Sequence, residues 1–144
     1  MADLIGIAPA VLPVLGRAGK DPNPSVRAGA LEVLMEMPPE QGEILLQFVS
    51  SLKDPDRTVR YMAARGLDKL GAGAEKAVAD LIQALKDPEE EVRSSATSAL
   101  LKIGSPAVPA LTEAAQSQDY LLSSRANFLL ERIREQSGQK KTNP

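Results

Sequence analysis

Three Val-Arg pairs, Val26-Arg27, Val59-Arg60 and Val92-Arg93, recur at an interval of 33 residues, each behind a Lys-Asp-Pro at 20–22, 53–55 or 86–88. A fixed period with constant punctuation is the signature of one supersecondary unit copied along a chain. A unit that short cannot bury an apolar face alone, so its copies must stack and share one elongated core.

The third copy shows the unit most clearly. Ala77-Val78, Leu81-Ile82 and Leu85 fall on one face of a helix. Asp87-Pro88 ends that helix, because a proline disfavours helical geometry in the residue before it. Glu89, Glu90 and Glu91 suit the positive N-terminal end of a second helix, a solvated role rather than a metal or acid–base site. Its stripe is Val92, Ala96, Ala99, Leu100 and Ile103, and Gly104 can stop it.

The second copy runs Ile44, Leu45, Phe48, Val49, Leu52, then Val59, Ala63, Gly66, Leu67 and Leu70. The first gives Val11, Leu12, Leu15, then Val26, Ala30, Val33, Leu34 and Met37. A fourth follows the third at an interval of 30, with Ala107, Val108, Leu111 and Ala114, then Leu122, Ala126, Leu129, Leu130 and Ile133. Pro13 and Pro109 fall at equivalent places near the start of first helices, where a missing N–H is tolerated.

The expectation is all-α: four antiparallel helical hairpins at about 8–38, 39–71, 72–104 and 105–136 in a single domain over residues 1–136. Residues 137–144 are polar and aperiodic and are expected to form a disordered tail. Leu4, Ile5 and Ile7 suit a partial cap or the end of a longer array.

Composition narrows the function. The 144 residues contain no Cys and no His, which excludes disulfides, the common zinc sites and His-based triads. Net charge is −2 with both signs interspersed, so no overall pull toward nucleic acid or anionic membrane arises. No apolar run reaches the roughly 20 residues of a membrane span. A cytoplasmic setting is expected, with no cofactor or metal and no catalytic constellation.

The stretch from Ala77 to Pro88, followed by Val92-Arg93 and Leu100-Leu101-Lys102-Ile103-Gly104, resembles a HEAT repeat, and within that family the short subtype named after the phycobilisome bilin lyases. The similarity spans about residues 9–135 and implies an alpha-alpha superhelix, a right-handed armadillo-like solenoid. It also implies a scaffold or adaptor that binds other proteins, with an accessory role in a lyase or other enzyme complex as the alternative. Deoxyhypusine hydroxylase shares the array but needs His-Glu iron sites, which this chain cannot build. HEAT-like DNA glycosylases use a basic concave face, and one clear cation, Arg65, does not make one.

Asp21 and Arg27, Asp54 and Arg60, and Asp87 and Arg93 each lie six residues apart, and the fourth copy has Ser117 and Ser123 at both places. Joint loss marks the two side chains as partners, or as members of one ladder between repeats. In the family such residues tie the loops together.

The resemblance also puts the second helices on the concave side. Counting from Val26, Val59, Val92 and Leu122, the third, sixth, seventh and tenth residues point away from the stripe at about 100° per residue. A partner would then meet Leu31, Glu32, Met35, Tyr61, Arg65, Asp68, Thr97, Leu101 and Phe128. Apolar groups set among polar ones suit a helix or extended segment of another protein better than a phosphate backbone. The surface positions differ too much between copies for a consensus design.

Overall fold

The computed structural model describes the backbone of residues 3–39 and 42–142 and the side chains of 10–39 and 42–138. It is a helical solenoid, with no strand among the described residues. The helices are α1 (Asp3–Ala18), α2 (Pro24–Met35), α3 (Gly42–Ser51), α4 (Arg57–Leu70), α5 (Val78–Ala84), α6 (Glu90–Ile103), α7 (Val108–Ala114) and α8 (Tyr120–Thr142). Short 3₁₀ segments, Gly71–Ala77 and Ser105–Ala107, lead into α5 and α7. Each odd-numbered helix packs on the even-numbered helix that follows it. The even-numbered helices form a second layer in which α4 lies between α2 and α6, while α8 meets α6 more sparsely.

Local chemistry sets the boundaries. Asp56 Oδ1 accepts the Thr58 and Val59 amides at 2.9 and 3.1 Å, and Asn23 and Asp119 start α2 and α8 in the same way. Each satisfies an amide that the first turn leaves without a helical partner. Glu89 makes no such bond, and α6 has Glu90 and Glu91 in its first turn instead. Gly71 and Gly104 close α4 and α6 at φ of 55° and 71°, a conformation that side chains with a Cβ rarely adopt.

The core runs the length of the stack. Phe48, Leu67, Leu81, Leu100, Leu111 and Leu129 are all essentially inaccessible to water. Ala30, Ala63, Ala96 and Ala126 form a buried row, where a small residue lets each even-numbered helix approach its partner closely. At Gly66 the approach is closer still, since an added Cβ would lie 2.4 Å from the Phe48 ring.

Several expectations from sequence are corrected. Val26 and Val33, placed on the core stripe, are 40% and 47% exposed. Helix α1 begins at Asp3, so residues 3–8 form its opening turns and Pro13 lies inside the helix rather than near its start. The side chains of Leu4, Ile5 and Ile7 are outside the described residues. Helix α8 continues to Thr142, through most of the segment expected to be a disordered tail. Good helix formers such as Gln136, Gln139, Lys140 and Lys141 prolong it without an apolar stripe to bury. Residues 143–144 fall outside the described residues.

Candidate functional site

The ladder residues come together across repeats. Arg27 Nε and Nη2 donate to Asp54 Oδ2 and Oδ1 at 2.8 and 2.9 Å, while its Nη1 holds the Asp21 and Pro22 carbonyls of its own turn. Arg60 repeats the arrangement with Asp87 at 2.8 and 3.3 Å and with the Asp54 and Pro55 carbonyls. Each aspartate also accepts an amide two residues on, Asp56 for Asp54 and Glu89 for Asp87. One guanidinium therefore caps its own turn and clamps the next, in the planar two-pronged geometry that arginine suits.

Arg93 keeps the first half of this pattern, donating to the Asp87 and Pro88 carbonyls. Ser117 stands where its carboxylate would be. The Ser117 hydroxyl still accepts the Asp119 amide, so the serine preserves the local turn and loses only the charge. Arg125 ties α8 back to the preceding turn instead, donating to the Leu85 carbonyl. A second set of ties runs along the C-terminal ends of the even-numbered helices, with Lys102 2.9 Å from Asp68 and Lys69 3.4 Å from Glu36.

Burial pushes the Asp54 carboxyl up, but hydrogen bonds from Arg27 and the Asp56 amide, with the charges of Arg27 and Arg60, outweigh it and hold its pKa below the ordinary 3.8. A depressed folded pKa gives stability that is present above the unfolded value and disappears as pH falls through the folded one. The stability difference between the natural chain and Asp54→Asn should therefore be constant from about pH 7 to about pH 5 and shrink below about pH 4. Urea unfolding followed by circular dichroism across that range checks it. A difference that does not change with pH would remove Asp54 as the titrating group.

The row expected to meet a partner divides in two. Leu31 is wholly buried, so its place among residues that meet a partner is corrected. It lies a third of a turn round from the core stripe, on the side that α2 turns toward α4, and the stacking of second helices covers it. Ala64 is buried at the same position in α4, and Thr97 is half-buried at that position in α6, its hydroxyl turned to the Arg93 carbonyl. Glu32 and Arg65 are exposed, and Met35, Tyr61, Asp68 and Leu101 are half-buried. Phe128 is 54% exposed. The Arg65 guanidinium lies 5.6 Å from the Tyr61 ring centroid, a distance for cation–π attraction that also fixes both side chains.

Two shallow grooves border this row. Between α2 and α4, Ala28, Glu32, Met62 and Arg65 line one, and between α4 and α6, Arg57, Thr58, Tyr61, Glu89 and Glu91 line the other. Arg57, Glu89 and Glu91 were not among the residues expected to meet a partner. Carrying the same helical count two residues upstream of Val59 would have placed Arg57 on this edge. No group of three or more metal-ligating side chains occurs among the described residues. No helix there is long and apolar enough to cross a membrane.

A family model of HEAT repeats matches residues 43–131, more than half of the chain. The chain is a HEAT-repeat protein. The fold is generally one of protein-interaction scaffolds. This HEAT-repeat protein is similar to a crystal structure of an engineered protein from the Northeast Structural Genomics Consortium, at 25% identity and a TM-score of 0.64, over 92% of this chain and 66% of that one. A second engineered protein from the same consortium is similar at 25% identity and a TM-score of 0.63, over 91% of this chain and 39% of that one. No curated protein matches the chain.

Proposed function

We propose that this HEAT-repeat protein is a non-catalytic scaffold whose concave face, from Glu32 and Met35 through Tyr61 and Arg65 to Leu101 and Phe128, receives a helix or extended segment of another protein. The observation that carries the reading is the Tyr61–Arg65 pair, a half-buried aromatic beneath an exposed cation at the edge of two grooves. Aromatic and arginine side chains of this kind dominate binding energy at protein interfaces. The carboxylates of Glu32, Glu89 and Glu91 and the guanidinium of Arg57 add polar positions that can fix register.

A photo-crosslinking side chain at Phe128 on the concave face, compared with one at Leu46, 68% exposed on α3, tests the assignment. Phe128 should trap a partner, Leu46 should not, and Tyr61→Ala with Leu101→Asp should weaken its binding by about tenfold or more with the fold retained. Equal trapping at both positions, or binding indifferent to the two substitutions, would sink the proposal.

A further inference from the structure

The two ends of the stack differ chemically. At the C-terminal end, positions that face a following hairpin elsewhere are polar and exposed: Thr112 stands where the inner repeats have Val49 and Ile82, and Asn127 where they have Ala64 and Thr97. A polar outer face is what closes a repeat array in water.

The N-terminal end is open. Val26 is 40% exposed, whereas Val59 and Val92 at the same position are fully buried. Val33 is 47% exposed, whereas Ala99 is fully buried and Leu129 nearly so. Val14 is 52% exposed at a position where Gln47 reaches back to the Leu15 carbonyl and Asp80 back to Lys53. Asp21 lies on the same face. Asp54 and Asp87 each take the guanidinium of the repeat before them, but no described cation is within ion-pair distance of Asp21, whose carboxylate accepts the Asn23 amide.

We propose that this face is a docking surface for a helical hairpin of a partner protein that carries an arginine at the fourth position of its second helix, where Arg27 and Arg60 stand in α2 and α4. That arginine would clamp Asp21 as Arg27 clamps Asp54, and the hairpin would cover Val14, Val26 and Val33. The stacking interface between repeats continues onto this face with the same carboxylate and apolar positions. A second copy of the chain lacks the matching group. Its closed end has Ser123 at the arginine position, and two N-terminal faces together would set Asp21 against Asp21.

The test uses the full chain as its own probe. A variant with Thr112→Val, Ser123→Arg and Asn127→Leu gives the closed end interior chemistry, and Val26→Glu in the same variant blocks its own open face. This probe, helical by circular dichroism, should bind the immobilised natural chain saturably. Asp21→Asn or Val33→Glu in the immobilised chain should weaken binding by about tenfold or more. Absence of binding by a folded probe, or binding unchanged by both substitutions, would overturn the proposal. Self-association of the natural chain in sedimentation, lost with Val26→Glu, would also overturn it by giving the face to a second copy.

Discussion

Phe48→Ala is expected to lower the unfolding free energy by about 3–5 kcal/mol, a large part of the roughly 5–15 kcal/mol that holds an ordinary domain folded. Phe48 is the largest fully buried side chain in the core. It packs from α3 against α4, where Gly66 has no Cβ to keep the ring away. Removing the ring leaves a cavity that helices fixed by neighbours on both sides cannot close. Gly66→Ala should also destabilise, by about 1–3 kcal/mol, because the new methyl enters the ring's space. The two changes share that space, so the double variant should lose less than their sum. Chemical denaturation of all three proteins checks this, and strict additivity would mean that ring and glycine are not packed as described.

Asp87→Ala should lower stability by about 2–4 kcal/mol. The Asp87 and Arg60 side chains are 7% and 15% exposed, so removing one strands the other where water reaches it poorly. Asp87→Asn keeps the bond to the Glu89 amide and should cost less. Arg60→Met with Asp87→Leu together should recover much of the loss, since neither charge then remains unpaired. Arg93→Met supplies the internal comparison. No described carboxylate lies within ion-pair distance of Arg93, which donates to backbone carbonyls of its own turn, so its loss should cost less than that of Arg60. Equal costs at Arg60 and Arg93 would contradict an ion pair between repeats.

The repeat was legible because the residues that stop and start its helices, the Asp-Pro pairs, the run Glu89 to Glu91 and Gly104, act locally. The solenoid followed from the apolar positions, which have one arrangement in which every copy covers the next. The partner of each ladder aspartate was not legible: a six-residue spacing allows a bond within one turn, and only the stacked geometry sends Arg27 to Asp54. Leu31 was misplaced for a related reason. A helical count measures direction from one helix axis and carries no information on how closely a neighbouring helix approaches, so a residue facing α4 looked like one facing solvent. Val26 and Val33 failed in the opposite sense, since they have core periodicity but no described hairpin covers their side of α2. Of the row expected to meet a partner, Tyr61, Arg65, Leu101 and Phe128 keep accessible surface.

Ser117 and Ser123 leave the joint between the third and fourth hairpins without the half-buried charge clamp of the earlier joints. Arg125 on the neutral Leu85 carbonyl and a more accessible Lys86–Asp119 pair at 3.5 Å hold it instead. Under tension or mild denaturant the chain should therefore unzip from that seam, releasing α7 and α8 while the three upstream hairpins stay wound. The weak seam would act as a fuse, letting the last hairpin melt and rewind without loss of the remaining coil.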